Sequence, residues 1–205
     1  MLYFCYYKEN RMNTKRLYKE DVYQKQAVAI VTSINKLNNK TLITFNQTIF
    51  APTGGGQGCD MGKAGDLDVI NVHEEDNEIF HEVTGDIAGI QIGSELTLSL
   101  NWEIRFDNMQ RHCGEHILSG VLYKQFGGIN KGFHMGEQYM TIDISLEQSP
   151  EVDSISWEMA KNAELWANKI IWDDESVVVK HFDQKEEAKQ LPLRKELTFN
   201  ENISI

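Results

Sequence analysis

The hydrophobic period of this chain changes once, between residues 102 and 107, and that change constrains the fold more than any other feature. Before it, apolar side chains tend to alternate with polar ones in short runs: QAVAIVTSI, TLITF, DLDVINVHEE, EIFHEVTG and SELTLSLNW. Period-2 alternation buries one face of a strand and wets the other. The turn-prone NKLNNK separates the first two runs, and Asp76-Asn77 separates the next two, so two hairpins are expected. Together these strands make a small sheet or barrel. After the change, Asn108 is a suitable N-cap. Residues 109–126 carry Cys113, Ile117 and Val121 beside Leu118, Leu122 and Phe126 at helical spacing, with Gly127-Gly128 as the stop. MTIDIS reads as a strand. A second helix is expected over 150–172, with Ile155, Met159, Ala163, Trp166 and Ile170 on one face. SVVVKHF reads as a strand, and DQKEEAKQ as a short helix halted before Pro192. The fold class is therefore α+β, with a β-rich domain over 1–103 and an α+β domain over 104–205.

Composition narrows the function classes. A chain of 205 residues can bury a substantial core, and no run is apolar enough to cross a bilayer. The opening MLYFCYY lacks a basic leader and a small-residue cleavage site, so it reads as a tail or first element rather than a secretion signal. Cys5, Cys59 and Cys113 form an odd set at unrelated spacings, which argues for a reducing, cytoplasmic compartment. The net charge of −11 runs against self-sufficient nucleic-acid binding, which usually needs a basic face. The basic residues are scattered: Lys15, Arg16 and Lys19 early, Arg105 and Arg111 near the first helix, Arg194 and Lys195 late. Arg105 and Arg111 are placed either to meet a nucleic-acid end or to be solvated.

RHCGEHILSG carries the clearest chemistry. His112 and His116 are four apart, so one helix stacks them on one face, where both imidazoles can reach one metal ion. A packed His beside a solvated one is the plain alternative. With Glu115 between them the stretch also matches the His-x-x-Glu-His pattern of inverted zinc metalloproteases, in which the Glu is the general base.

APTGGGQGCDMG, residues 51–62, is too glycine-dense for a strand. Consecutive glycines let backbone N–H groups approach a ligand without an intervening Cβ. Thr53 offers a hydroxyl and Gln57 an amide that donates and accepts. Neither a Walker loop nor a dinucleotide fingerprint is met. A tight barrel turn is the structural alternative.

In this order, PTGGGQ, Asp60 and Gly62, RHCGEH, GFHMG and TIDIS resemble the editing domain of alanyl-tRNA synthetases and its free-standing relatives. The opening LYKEDVYQKQAVAIV is similar to the start of those relatives, and the resemblance runs over residues 17–194. It implies a small N-terminal β-barrel packed on a C-terminal α+β editing domain. It also implies zinc-dependent hydrolysis of alanine tRNA charged with serine or glycine. By resemblance His112 and His116 are zinc ligands, and Thr53 and Gln57 serve the reaction; Glu115, from its own chemistry, is a candidate for acid–base catalysis or a metal bond. Gly54, Gly55, Gly56, Arg111 and His134 line the substrate, and Thr53 senses the serine hydroxyl. The implied partner is a tRNA acceptor end in the cytoplasm, with no membrane involved.

Three departures qualify that picture. Gln57 is followed by Gly58 where the family usually has Pro, and Glu115 stands where many relatives carry a small or hydroxyl residue. The family closes its zinc site with a later Cys-x-x-x-His, whereas no cysteine follows Cys113 here. Either the chain is a piece of a longer parent with a further C-terminal domain, or the site is degenerate and the module binds an amino acid or tRNA end without catalysis. Two imidazoles make half of a four-ligand site, so weak zinc binding is expected. His181 reads as structural, and His73 and His81 as strand residues facing solvent or a neighbour.

Overall fold

The structure is a computed structural model and describes residues 14–37, 39–136, 138–147, 149, 154–191 and 201–204. It mixes α and β, and its strand pairs are antiparallel apart from one short parallel pair. The chain forms two compact units that divide between Gln110 and Arg111.

The first unit opens with β1 (Lys15–Arg16) and α1 (Leu17–Glu20), followed by β2 (Gln26–Leu37), β3 (Lys40–Phe45) and β4 (Gln47–Thr48). Then come β5 (Gly62–Ala64), β6 (Leu67–Glu75), β7 (Glu78–Thr84) and β8 (Glu95–Leu100). Strands pair in the ring β2-β3-β7-β6-β5-β8, which closes into a barrel, while β1 pairs with β4 outside it. Both expected hairpins form. Asp76 and Asn77 have φ of 49° and 65°, the left-handed pair that a two-residue hairpin turn demands. The first turn is tighter than NKLNNK suggests, because Asn35, Lys36 and Leu37 still pair with Leu42, Thr41 and Lys40. Closure brings β5 and β8 very close at Gly62, where a Cβ would meet the Ser99 carbonyl oxygen at 2.1 Å, so only glycine fits.

Alternation then fills the barrel. In β7, Ile79, His81 and Val83 point inward; Ile43, Phe45, Ile49, Phe50 and Val72 join Ile79 at 0% exposure. Of the two expectations for His81, solvent or a neighbour, the structure shows the second. The residue is fully buried with edge-on rings of Phe45 and Phe50. Its Nδ1 lies 3.1 Å from the Ile43 carbonyl and its Nε2 2.8 Å from Thr48 Oγ1. The carbonyl can only accept, so Nδ1 carries the proton and Nε2 accepts from the Thr48 hydroxyl. Burial depresses its pKa from 6.5 to about 4.

Helix α2 (Trp102–Phe126) begins earlier than residue 109, the start that periodicity suggested. The cap is Asn101, whose Oδ1 accepts the Ile104 N–H at 3.4 Å. The N–H groups of Gly127 and Gly128 then close its last turn on the Tyr123 and Leu122 carbonyls. The second unit continues with β9 (Ile129–Met135), β10 (Met140–Ser145), α3 (Trp157–Trp172), β11 (His181–Gln184), α4 (Lys185–Ala188) and β12 (Glu201–Ser204). β9 pairs with β10 and β11 with β12. The start of α3 is set by Ser156, whose hydroxyl accepts the Met159 N–H at 3.2 Å. Its expected first residues at 150–153 lie outside the described residues. Val121, Leu122 and Ala163 form a small core, flanked by half-buried Leu118, Phe126, Ile142, Ile144 and Ile155. SVVVKHF is a strand only from His181; Val177, Val178 and Val179 are 72%, 66% and 55% exposed and outside any strand. Three apolar residues without alternation do not by themselves make a ladder. Cys5, Pro192, Arg194 and Lys195 lie outside the described residues, and among those described no helix is long and apolar enough to cross a membrane.

Candidate functional site

The glycine loop belongs to the first unit and is more closed than a nest of free N–H groups. Gly54 and Gln57 exchange backbone hydrogen bonds of 3.1 and 3.0 Å, with Gly55 and Gly56 at φ 58° and 85° between them. That is a tight turn with two left-handed residues, the conformation glycine adopts most cheaply. The N–H groups of Gly54 and Gln57 are therefore spent within the turn. Thr53 precedes it, its N–H donating to the Val72 carbonyl at 3.0 Å and its hydroxyl facing the same oxygen at 3.4 Å. Residues 53–56 are exposed and Gln57 is half-buried, so the turn is displayed from a fixed base.

The neck of the loop is the device the sequence did not announce. Asp60 donates its N–H to the Ala51 carbonyl at 3.0 Å, and its Oδ2 accepts the Ala51 N–H at 2.5 Å. Arg105, one turn into α2, binds the same carboxylate in a fork: Nε to Oδ1 at 2.9 Å and Nη2 to Oδ2 at 2.5 Å. Nη1 and Nη2 also donate to the carbonyls of Val22 and Ile49, each at 2.7 Å. Arg105 is 3% and Asp60 1% exposed. This corrects both expectations for Arg105, contact with a nucleic-acid end and solvation: its guanidinium is buried and committed. Cys59, beside Asp60, is likewise packed in the barrel core with its thiol 3.5 Å from Asn71 Oδ1.

The histidine pair belongs to the second unit. Helical spacing stacks the rings of His112 and His116 with centroids 4.8 Å apart and planes 18° from parallel. Phe133 of β9 lies 5.6 Å from the His112 ring. Partial burial, then the neighbouring His116, lower the pKa of His112, which favours the neutral imidazole that a metal requires. Glu115 lies between them in sequence and is 4% exposed. One of its oxygens accepts from both Ser119 Oγ and Asn130 Nδ2, the latter at 2.5 Å; the other lies 3.6 Å from His116 Nδ1. His112, Glu115 and His116 present ligand atoms within 4.8 Å of one another, the one such group among the described residues. Two imidazoles and a carboxylate form a donor set suited to a divalent cation of the zinc type.

Arg111 opens this stretch and donates to the Gly136 carbonyl at 2.7 Å, tying α2 to the end of β9. His134 is exposed on β9 and paired in register with Thr141. Strand alternation turns it to the opposite face of the ribbon from Phe133. Sequence reasoning missed Ser119 and Asn130. Ser119 carries a legible signal, four residues beyond Glu115 on the same helix face. Asn130 carries none, because its strand is brought to Glu115 only by folding.

No protein-family model matches the chain. It is 35% identical over 190 residues to the "Alanyl-tRNA editing protein AlaX-L" of Pyrococcus horikoshii, an alignment covering 90% of this chain and 45% of that protein. It is 36% identical over 115 residues to "Alanyl-tRNA editing protein AlaX-M" of the same organism, covering 56% of this chain and 51% of that one. A similarly named AlaX-M of Methanosarcina acetivorans is 28% identical over 203 residues, covering 93% and 79%. The chain spans about half the length of the first two relatives.

Proposed function

We propose that this chain, a homologue of the AlaX-type alanyl-tRNA editing proteins, hydrolyses alanine tRNA that carries the wrong amino acid, serine first and glycine second. Water adds across the ester, releasing the free amino acid and the tRNA 3′ hydroxyl. The single observation that supports a hydrolytic centre is the clustering of His112, Glu115 and His116 on one helix. In this reading His112 and His116 hold zinc, which supplies Lewis-acid polarisation of the acyl carbonyl when bound. Arg111, held against the end of β9, and His134 contact the acceptor end from the second unit. Thr53 and Gln57 serve the substrate from the displayed turn made with Gly54, Gly55 and Gly56, Thr53 by bonding the serine hydroxyl. The tRNA acceptor end is the partner, and the cytoplasm is where such a substrate is met.

The inverted-protease reading gains no support from the site. A general base must accept a proton from water, whereas Glu115 is buried and has one oxygen occupied by Ser119 and Asn130. The test of the editing reading is deacylation of alanine tRNA charged with serine or with alanine, before and after chelation. Faster loss of serine, abolished by chelator and restored by zinc, is the expected result. Deacylation indifferent to chelator would remove the metal from the account, and equal rates for serine and alanine would remove the editing function.

A further inference from the structure

We propose that Glu115 is a positioning residue for His116: its buried carboxylate holds the ring with the proton on Nδ1, so that Nε2 keeps the lone pair a metal ion needs. The observation is the unequal use of the two carboxylate oxygens. Oε1 is fixed from two elements, by Ser119 Oγ on α2 and by Asn130 Nδ2 on β9 at 2.5 Å, and those two side chains are joined to each other at 2.8 Å. Oε2 is turned toward His116 Nδ1 at 3.6 Å. Among the described residues no Lys or Arg forms an ion pair with Glu115, and the polar group that its Oε2 faces is the His116 imidazole. An anion taken out of water needs such a neighbour, since burial without one is strongly unfavourable.

The distance of 3.6 Å is an ion-pair separation and exceeds a hydrogen bond. The carboxylate is held from two elements on a side chain 3% exposed, so it presents Oε2 to Nδ1 from a fixed position. An imidazole beside a carboxylate places its proton on the facing nitrogen, and the opposite nitrogen becomes the acceptor. Glu115 is then neither a base nor a ligand. Its part is to choose the tautomer of a ligand, and Ser119 and Asn130 keep it aimed.

The substitution Glu115→Gln tests this with little change of volume. Ser119 and Asn130 both donate toward the Oε1 position, so the amide oxygen takes that place and the amide NH2 faces His116 Nδ1. A donor there forces the ring proton to Nε2. Ring nitrogen NMR of the full chain without metal, recorded above the imidazole titration range, is expected to show His116 protonated on Nδ1 in the wild type and on Nε2 in the variant. Zinc affinity, measured by competition with a chromogenic chelator, should fall about 10- to 100-fold. A wild-type His116 protonated on Nε2 overturns the proposal, and that spectrum decides even where the variant does not fold. An unchanged tautomer in a folded variant overturns it equally. Its metal part rests on the metal-centre reading above, whereas the tautomer does not. A tautomer that switches while zinc affinity stays constant would therefore uphold the positioning of His116 and count against the metal centre.

Discussion

The two units differ in how they hold their polar residues. In the barrel, buried charge is closed off by buried charge: Arg105 gives its fork to Asp60 and two further N–H groups to two carbonyls, and His81 is bonded at both ring nitrogens. In the second unit the buried carboxylate of Glu115 is satisfied on one side and turned toward an exposed imidazole on the other. The apolar parts differ in the same sense. The barrel keeps large side chains such as Phe45 and Phe50 at 0% exposure, whereas the second unit leaves Trp157 and Trp172 each 86% exposed. Fully paired polar groups stabilise a scaffold, while a buried carboxylate fixed beside an exposed imidazole is a feature of a working site. The barrel reads as scaffold and the histidine helix as the place where chemistry occurs.

That contrast can be broken most severely at Arg105. Replacement by Ala leaves Asp60 buried without its partner, for which a loss of about 3–5 kcal/mol is expected. Hydrogen exchange of β2 and β3 amides under increasing denaturant measures it within the barrel. A loss below about 1 kcal/mol would show that the neck of the loop is held by its backbone bonds and not by the ion pair.

Acid should act on the barrel next. His81 is neutral in the folded state down to about pH 4, whereas in the unfolded chain it takes up its proton near 6.5. The unfolded state therefore binds more protons between those values, and stability falls as pH falls. The contribution is fully present above 6.5 and lost progressively toward 4, amounting to about 3 kcal/mol. Denaturation measured across this window should show a shallower slope for His81→Gln than for wild type. Equal slopes would assign the acid sensitivity to other groups.

How much of this was legible beforehand follows from range. Hairpins and alternation are local, so Asp76-Asn77 and the strand runs were readable from neighbours alone. The histidine pair was readable because i, i+4 spacing on a helix is local too. His81 was not, because strand alternation says that a residue faces one of two sides without saying that the sheet closes around it. The early start of α2 was hidden for a similar reason: Arg105 looks like a surface cation until Asp60, 45 residues away, is brought to it. The glycine run suggests an open cradle, with a tight turn as its alternative, and the structure holds the turn. Two consecutive left-handed residues close that turn, whose own N–H groups bond internally. Ser119 and Asn130 belong to both cases, one on the helix face that spacing shows and one on a strand that only the fold supplies.

The central claim is that the histidine helix is the hydrolytic centre, and the most direct measurement is the deacylation rate of alanine tRNA charged with serine by His112→Ala and His116→Ala proteins. Each substitution should lower the rate at least about 100-fold, the scale of losing a group that stabilises the transition state. Amide exchange in β2, β3 and β7 should be unchanged, because the barrel holds its own core. Deacylation at the wild-type rate in both proteins, with the barrel intact, would contradict the account.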